Sequence, residues 1–403
     1  MPTRLLAVCA ALSLSMVCSV AASAAEIPVK VGVLTDMSGW FADASGPGAV
    51  LAAKLAAKDA AQLYPALKIE IVSADHQSKV DIGSTIARKW FETEGVDTII
   101  DLTNSAIGIA VWQLAAEKGK ITMSTAGTSQ LTEKLCSKTG VQWAMDSYTY
   151  SKGVTQGLLK TGKDTWFFIT VDYAGGHAIE SAMTDFVKSG GGTVLSSVRH
   201  PVNSRDFASF LLAAQSSKAK AIGIANGGAD TIDTIKQAHE FGLVQSGVAL
   251  AAPVFFITDV HALGLDVSQG VRFVSPFYWD RTDATRAWAA RFFEEMKKMP
   301  THLQAGDYTF LMHYFKAVAA VGGTESGPVM AKMRETPIDD FMTVNGKLRE
   351  NGSVLRQRLL LEVKAPNESK KPWDYANVVQ EMSIQDSSPR PLNETNCPLL
   401  AAH

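Results

Sequence analysis

The chain has 403 residues, 38 Lys and Arg against 40 Asp and Glu, and 46 % hydrophobic residues. So even a charge balance argues against a nucleic-acid binder or an electrostatic membrane anchor. The length argues for two lobes rather than one large core, and the apolar content is enough to fill both.

Residues 1–25 read as an export signal: Arg4 gives the positive start, Leu5 to Val20 an apolar stretch, and Ala22-Ser23-Ala24 or Ser23-Ala24-Ala25 a small-residue cleavage site. The apolar run falls short of the ~20 residues a span needs, and no charged anchor follows it. Cys18 lacks the Leu and small residues before it that lipid attachment wants. The expected product is a periplasmic chain of 378 residues with 37 basic and 40 acidic side chains, net −3. Cys9 and Cys18 leave with the signal. Cys136 and Cys397 remain, and two thiols in an oxidising compartment are expected to pair; two separate buried thiols are the alternative.

From Ile27, short β-rich runs alternate with segments of helical spacing. Val29–Leu34, Ile69–Ala74, Thr98–Leu102 and Lys120–Met123 read as buried strands, with helical patterns such as Ile82/Ile86/Trp90 and Ile107/Val111/Leu114 between them. The pattern restarts after Asp146, with strands at Trp166–Val171, Thr193–Val198, Ala221–Ala225 and Val254–Ile257 and helices at about 147–161, 177–188, 206–216 and 229–241. Such alternation builds parallel sheets covered by helices, so the fold class is α/β with two doubly wound, Rossmann-like lobes. A strand at Val271–Val274 and helices around 282–297, 304–320 and 327–334 follow, then a hairpin turning at Asn351-Gly352. These elements are too few for a third domain and complete the first two. Residues 366–403, rich in Pro, read as an irregular tail.

The chain has no G-x-S-x-G, H-E-x-x-H, Walker A or C-x-x-C motif, so no enzyme chemistry, cofactor or metal is expected. Asp75-His76 is the nearest approach to a ligand pair, and adjacent residues on a strand end point opposite ways. Polar strand-to-helix turns remain, and these are where open parallel sheets bind ligands. Three stand out: Asp36–Asp43 with Trp40 and Phe41, Thr103-Asn104-Ser105, and Ser124–Ser129 with Ala126, Gly127 and Thr128. Helix capping is the competing role for the hydroxyls.

The opening VKVGVLTDMSGWFADASGPG, then ITMSTAGTSQLT, GVQWAMDSYTYSKG, TVDYAGG, NGGADTIDTIKQAHEFGL, QGVRFVSPFYWDRTDATRAWAARF and GKLRENGSVLRQRLLLEVK resemble the periplasmic binding proteins of the branched-chain amino acid type, in order over nearly the whole mature chain. The resemblance implies a type I periplasmic binding protein clamp with three hinge crossings, here near 144–148, 274–280 and 351–356. It divides the chain into lobe 1 (26–146 plus 276–353), lobe 2 (147–275 plus 354–388) and a tail (389–403) tied by the disulfide. It implies a monomer that hands a small carboxylate or amide to an inner-membrane ABC permease. A sensor delivering its ligand to a membrane-bound kinase or chemoreceptor is the alternative.

By the same resemblance a ligand carboxylate meets Asn104, Ser105, Ala126 and Thr128 around Gly127, against an aromatic wall of Trp40 and Phe41. Two departures stand out. Asn104 replaces the usual Ser, and in Tyr173-Ala174-Gly175-Gly176 the glycine at 175 is expected to widen the pocket where a large ring often closes over the ligand. An ammonium needs an acid from the second lobe, and Asp259 is the candidate; if it points away, an amino acid is not the expected ligand. Tyr278, beside the second crossing, supplies either cleft surface or hinge packing.

Overall fold

A computed structural model describes residues 25–400; the expected leader, except for its last residue, lies outside the described residues. The first sheet is all parallel, in the order β2-β1-β3-β4-β5, from β1 (Ile27–Thr35), β2 (Leu67–Asp75), β3 (Thr98–Asp101), β4 (Ile121–Ser124) and β5 (Gly140–Gln142). Its register sets Val31 opposite Ile71 and Val33 opposite Ile100. Helix α1 (Gly46–Leu63) follows β1, α2 (Val80–Glu92) follows β2 and α3 (Ser105–Glu117) follows β3. Gly32 is required in β1, because a Cβ there would lie 2.5 Å from the ring of Trp90 on α2.

The second sheet, β14-β13-β10-β9-β8-β6-β7, takes β6 (Thr165–Val171), β7 (Thr193–His200), β8 (Ala221–Ala225), β9 (Ala249–Ala251) and β10 (Arg272–Ser275) in parallel, then β13 (Arg358–Val363) and β14 (Ala376–Met382) antiparallel. Its helices are α4 (Ser147–Leu159), α5 (Ala174–Ser189), α6 (Ala208–Ser216), α7 (Gly228–Glu240), α8 (Ile257–Leu263) and α9 (Leu265–Ser268). After β10 the chain returns to the first sheet through α10 (Asp283–Met296), α11 (His302–Val321), α12 (Ser326–Glu335) and the hairpin β11 (Lys347–Leu348) with β12 (Val354–Leu355). The Ala-rich buried face of α1 (Ala49, Ala52, Ala53, Ala56, Ala60) lets α11 pack closely along it.

The chain thus passes between the sheets three times, after β5, β10 and β12. Trp143, in the first crossing, donates its Nε1 proton to Thr309 Oγ1 of α11 (2.9 Å) and lies under the Arg356 guanidinium of the third crossing (4.9 Å to the ring centre). The type I periplasmic binding protein fold accounts for every crossing.

Two sequence expectations fail. The strand placed at Val254–Ile257 lies instead at Ala249–Ala251, and α8 begins at Ile257. Residues 366–403 are not wholly irregular, since Ala376–Met382 forms the edge strand β14. The expected disulfide is present between Cys136 and Cys397, with Cα atoms 5.5 Å apart. It anchors the tail beyond β14, a second-sheet strand, to the loop between β4 and β5 of the first. Arg390 of the same tail bonds Glu133 of that loop (2.9 Å).

Candidate functional site

The loop after β1 is folded by one carboxylate. Asp36 accepts the N–H groups of Gly39 (2.8 Å) and Phe41 (3.0 Å) and the Ser78 hydroxyl (3.0 Å), curling the chain so that Trp40 and Phe41 project together. Both reach across to the second lobe. Phe41 packs over Gly227, and Trp40 lies so close over Gly228 that a Cβ there would meet its Cδ1 at 2.3 Å. The Trp40 ring also sits 5.2 Å from Phe41 and 5.7 Å from Tyr173.

Asp101 ends β3 with φ +78°, a conformation costly for a residue with a Cβ, and such strain is found where function demands it. Its fully buried carboxylate accepts hydroxyls from Ser45 (2.6 Å), Thr103 (2.9 Å) and Thr125 (2.9 Å), tying together three turns of the first lobe. Asn104 caps α3, its Oδ1 accepting from Ala106 N (3.0 Å) and Ile107 N (3.3 Å). The Ala126 N–H donates to Ser124 Oγ (3.1 Å), and Thr128 Oγ1 accepts from Gln130 N (3.4 Å).

From the second lobe, α5 and α7 point their N-termini at the same space, and no side chain caps either. The first N–H groups of each are therefore free, with the positive end of the helix dipole behind them. Gly175 does not widen the space as expected. A Cβ there would stand 2.4 Å from the Tyr173 hydroxyl, so the room this glycine makes is filled by the Tyr173 phenol. Burial pushes the pKa of that hydroxyl up to about 12, so it keeps its proton.

Between the lobes these groups enclose a cavity of about 30 Å³. Phe41, Tyr150, Tyr173 and Phe256 give it aromatic walls, and Thr103, Ser105, Thr125 and Asn226 are its polar residues; among the described residues no Asp, Glu, Lys, Arg or His lines it. Tyr150 is oriented by His302 (2.8 Å), which burial keeps neutral with its pKa down at about 3. A volume of this size holds about two or three waters and admits a larger molecule only when the lobes part.

The residues singled out in the sequence fall into distinct places. Phe41, Ser105, Gly127 and Tyr173 line the cavity. Trp40 and Asp259 line a separate outer groove of about 490 Å³, which also spans both lobes. There Asp259 Oδ2 accepts the Phe256 N–H (2.9 Å), and burial raises its pKa to about 7. Asn104, Ala126 and Thr128 are engaged in the caps and turns just described. Tyr278 is packed at the second crossing, its hydroxyl accepting from Ala376 N (3.3 Å), and does not line the cavity. Sequence reasoning missed Thr125, Tyr150, Asn226 and Phe256. Asn226-Gly227-Gly228 carries the same polar, Gly-rich signal after β8 that marked the turns of the first lobe.

Among the described residues one group could be taken for metal ligands: Asp36, Asp75 and His76 bring ligand atoms within 4.8 Å of one another. The opposite-pointing expectation for Asp75 and His76 fails because His76 lies just past the end of β2. The chemistry nevertheless does not fit a metal. His76 Nδ1 accepts the Ser78 N–H (3.1 Å), which puts the ring proton on Nε2 and leaves no lone pair, and both carboxylates are spent on the Trp40 loop and its neighbours.

A family model described as periplasmic binding protein matches residues 28–370. The chain belongs to the periplasmic binding protein family. A periplasmic binding protein from Burkholderia mallei is 45 % identical over 92 % of this chain and 99 % of its own, with a TM-score of 0.88. A branched-chain amino acid ABC transporter periplasmic ligand-binding protein from Burkholderia xenovorans LB400 is 38 % identical with the same coverage and a TM-score of 0.84. A leucine binding protein from Thermotoga maritima, 18 % identical over 89 % of this chain and 99 % of its own, shares the fold at a TM-score of 0.74. No curated protein matches. The family consists of transporter solute-binding proteins.

Proposed function

We propose that this periplasmic binding protein is the extracytoplasmic receptor of an ABC importer, capturing a small carboxylate or amide between its lobes and delivering it to an inner-membrane permease. The observation that carries this reading is the cavity walled from both lobes, uncharged in its side chains, onto which the uncapped N-termini of α5 and α7 converge. Such N–H groups suit a carboxylate or a carbonyl oxygen without a cationic partner. The 38 %-identical Burkholderia xenovorans protein, named for branched-chain amino acid transport, supports a ligand of this size. A more distant protein from Rhodopseudomonas palustris, solved with 4-hydroxybenzoate, shares only the fold, at 20 % identity, 88 % of this chain and a TM-score of 0.78.

Lobe 1 is assigned 26–146 plus 276–353, lobe 2 147–275 plus 354–388, and the tail 389–403, in keeping with the crossings after β5, β10 and β12. Export by the leader at 1–25 and a monomeric state complete the proposal. A thermal-shift panel of small carboxylates, amides and amino acids tests it. A ligand at about 100 times its Kd adds roughly 2.7 kcal/mol to the folded state and raises Tm visibly. No shift with any member would sink the small-carboxylate reading.

A further inference from the structure

Thr103 and Thr125 both line the cavity, and both residues are nearly buried, 4 % and 3 % exposed. Each has one proton to give, and its partners lie within the first lobe: Asp101 Oδ1 at 2.9 Å from both hydroxyls, the Asp101 carbonyl at 3.0 Å from that of Thr125, and the other hydroxyl at 3.2 Å. Ser45 gives its own to Asp101 Oδ2. A hydroxyl whose proton is committed has only lone pairs left to offer, so the cavity meets two acceptors here, backed by a buried carboxylate. A ligand carboxylate or ketone oxygen placed against this pair would face acceptor to acceptor. A ligand N–H or O–H would complete the set.

Of the acids beside the cleft, Asp259 accepts the Phe256 N–H, and Asp230 accepts the Asn203 N–H (3.1 Å) on Oδ2 while its buried Oδ1 has no partner. Neither lines the cavity.

Resting on the receptor reading above, we propose that Thr103 and Thr125 are specificity residues that read a hydrogen-bond donor on the ligand, an ammonium, a hydroxyl or an amide N–H, and that Asp101 is the positioning residue that fixes their polarity. This assigns the first lobe a role opposite to holding a carboxylate at these two hydroxyls. A site built to pair a ligand donor rejects the analogue lacking it, because its own buried acceptors are then left unpaired.

Calorimetry on two matched series tests this. One series is leucine, 2-hydroxy-4-methylpentanoate, 4-methylpentanoate and 4-methyl-2-oxopentanoate; the other is phenylalanine, 3-phenyllactate, 3-phenylpropanoate and phenylpyruvate. In at least one series the amino or hydroxy member is expected to bind at least 10-fold more tightly than the unsubstituted and oxo members. Thr125→Val, of nearly the same shape, is expected to compress that preference to about 3-fold. Asp101→Asn supplies an N–H that turns one hydroxyl proton toward the cavity, so the oxo member should gain relative to wild type. That ratio is a readout a merely structural role for Asp101 would not move. Binding of the oxo or unsubstituted members as tightly as the donor-bearing ones, or a preference unchanged in Thr125→Val, overturns the proposal while leaving the receptor reading intact. If no member of either series binds, this proposal falls, and the thermal-shift panel above decides the receptor reading separately.

Discussion

Replacing Gly228 by Ala adds one methyl group where the two lobes meet. A Cβ at this position would lie 2.3 Å from Trp40 Cδ1, 2.5 Å from its Nε1 and 2.7 Å from its carbonyl oxygen. Because a backbone atom is among the three, turning the indole does not relieve the clash. Overpacking of this kind costs about 1–3 kcal/mol, and here it falls on the closed arrangement alone, since Trp40 and Gly228 belong to different lobes. With about 2 kcal/mol taken from closure, apparent affinity should fall about 30-fold. Gly228 also has φ +54°, so Ala adds about 1 kcal/mol of backbone strain, equal in open and closed forms, which lowers Tm without touching affinity. Gly227→Ala is the control: its backbone is extended (φ −153°) and its Cβ would meet Phe41 at an ordinary 3.4 Å. Calorimetry with the tightest ligand of the panel reads both variants. Wild-type affinity in a folded Gly228→Ala protein would refute Trp40 as a contact that closure requires.

Trp40→Ala, which strips the ring from Gly228, Phe41 and Tyr173, should weaken binding by roughly 2–4 kcal/mol; unchanged calorimetric affinity would remove the loop from the closing surface. Cys136→Ser with Cys397→Ser opens a link spanning 261 residues and frees the tail from the first lobe, so stability to urea should drop by about 2–4 kcal/mol, and an unchanged midpoint would contradict this. Asp259 has a folded pKa raised to about 7 by burial, above its unfolded value, so the folded state holds its proton more tightly. Its contribution is fully present below the unfolded pKa near 4 and is lost as pH rises through about 7, on the order of 4 kcal/mol at most. Asp259→Asn should therefore gain Tm relative to wild type between pH 5 and pH 8. A difference that is flat across this window would show the carboxyl to be solvated.

Most of the architecture was legible because buried parallel strands such as Val29–Leu34 and Ala221–Ala225 are continuous apolar runs. β14 was not, because an edge strand buries only its ends, Ala376 and Met382, and shows no alternation over Asn377–Glu381. Val254–Ile257 looked like a strand because it is apolar, yet it is buried as a loop and the first turn of α8. The same shift explains Asp259, which as the third residue of α8 reaches back to the Phe256 N–H instead of facing a ligand. In the first lobe the turns were found but their chemistry was not. Whether Ala126 N–H is free, or which way the Thr125 proton points, depends on Ser124 and Asp101, and spacing along the chain does not encode those pairings. The carboxyl that organises the first-lobe turns is that of Asp101, at the end of β3, and no motif in the chain marks it.

The central claim is that ligand binds between the lobes and closes them. Small-angle X-ray scattering of the mature protein, with and without the tightest ligand of the panel at saturation, tests it most directly. The radius of gyration should fall on ligand addition, and the fall should be reduced in Gly228→Ala. Saturated binding with an unchanged scattering curve in the wild type would contradict the clamp.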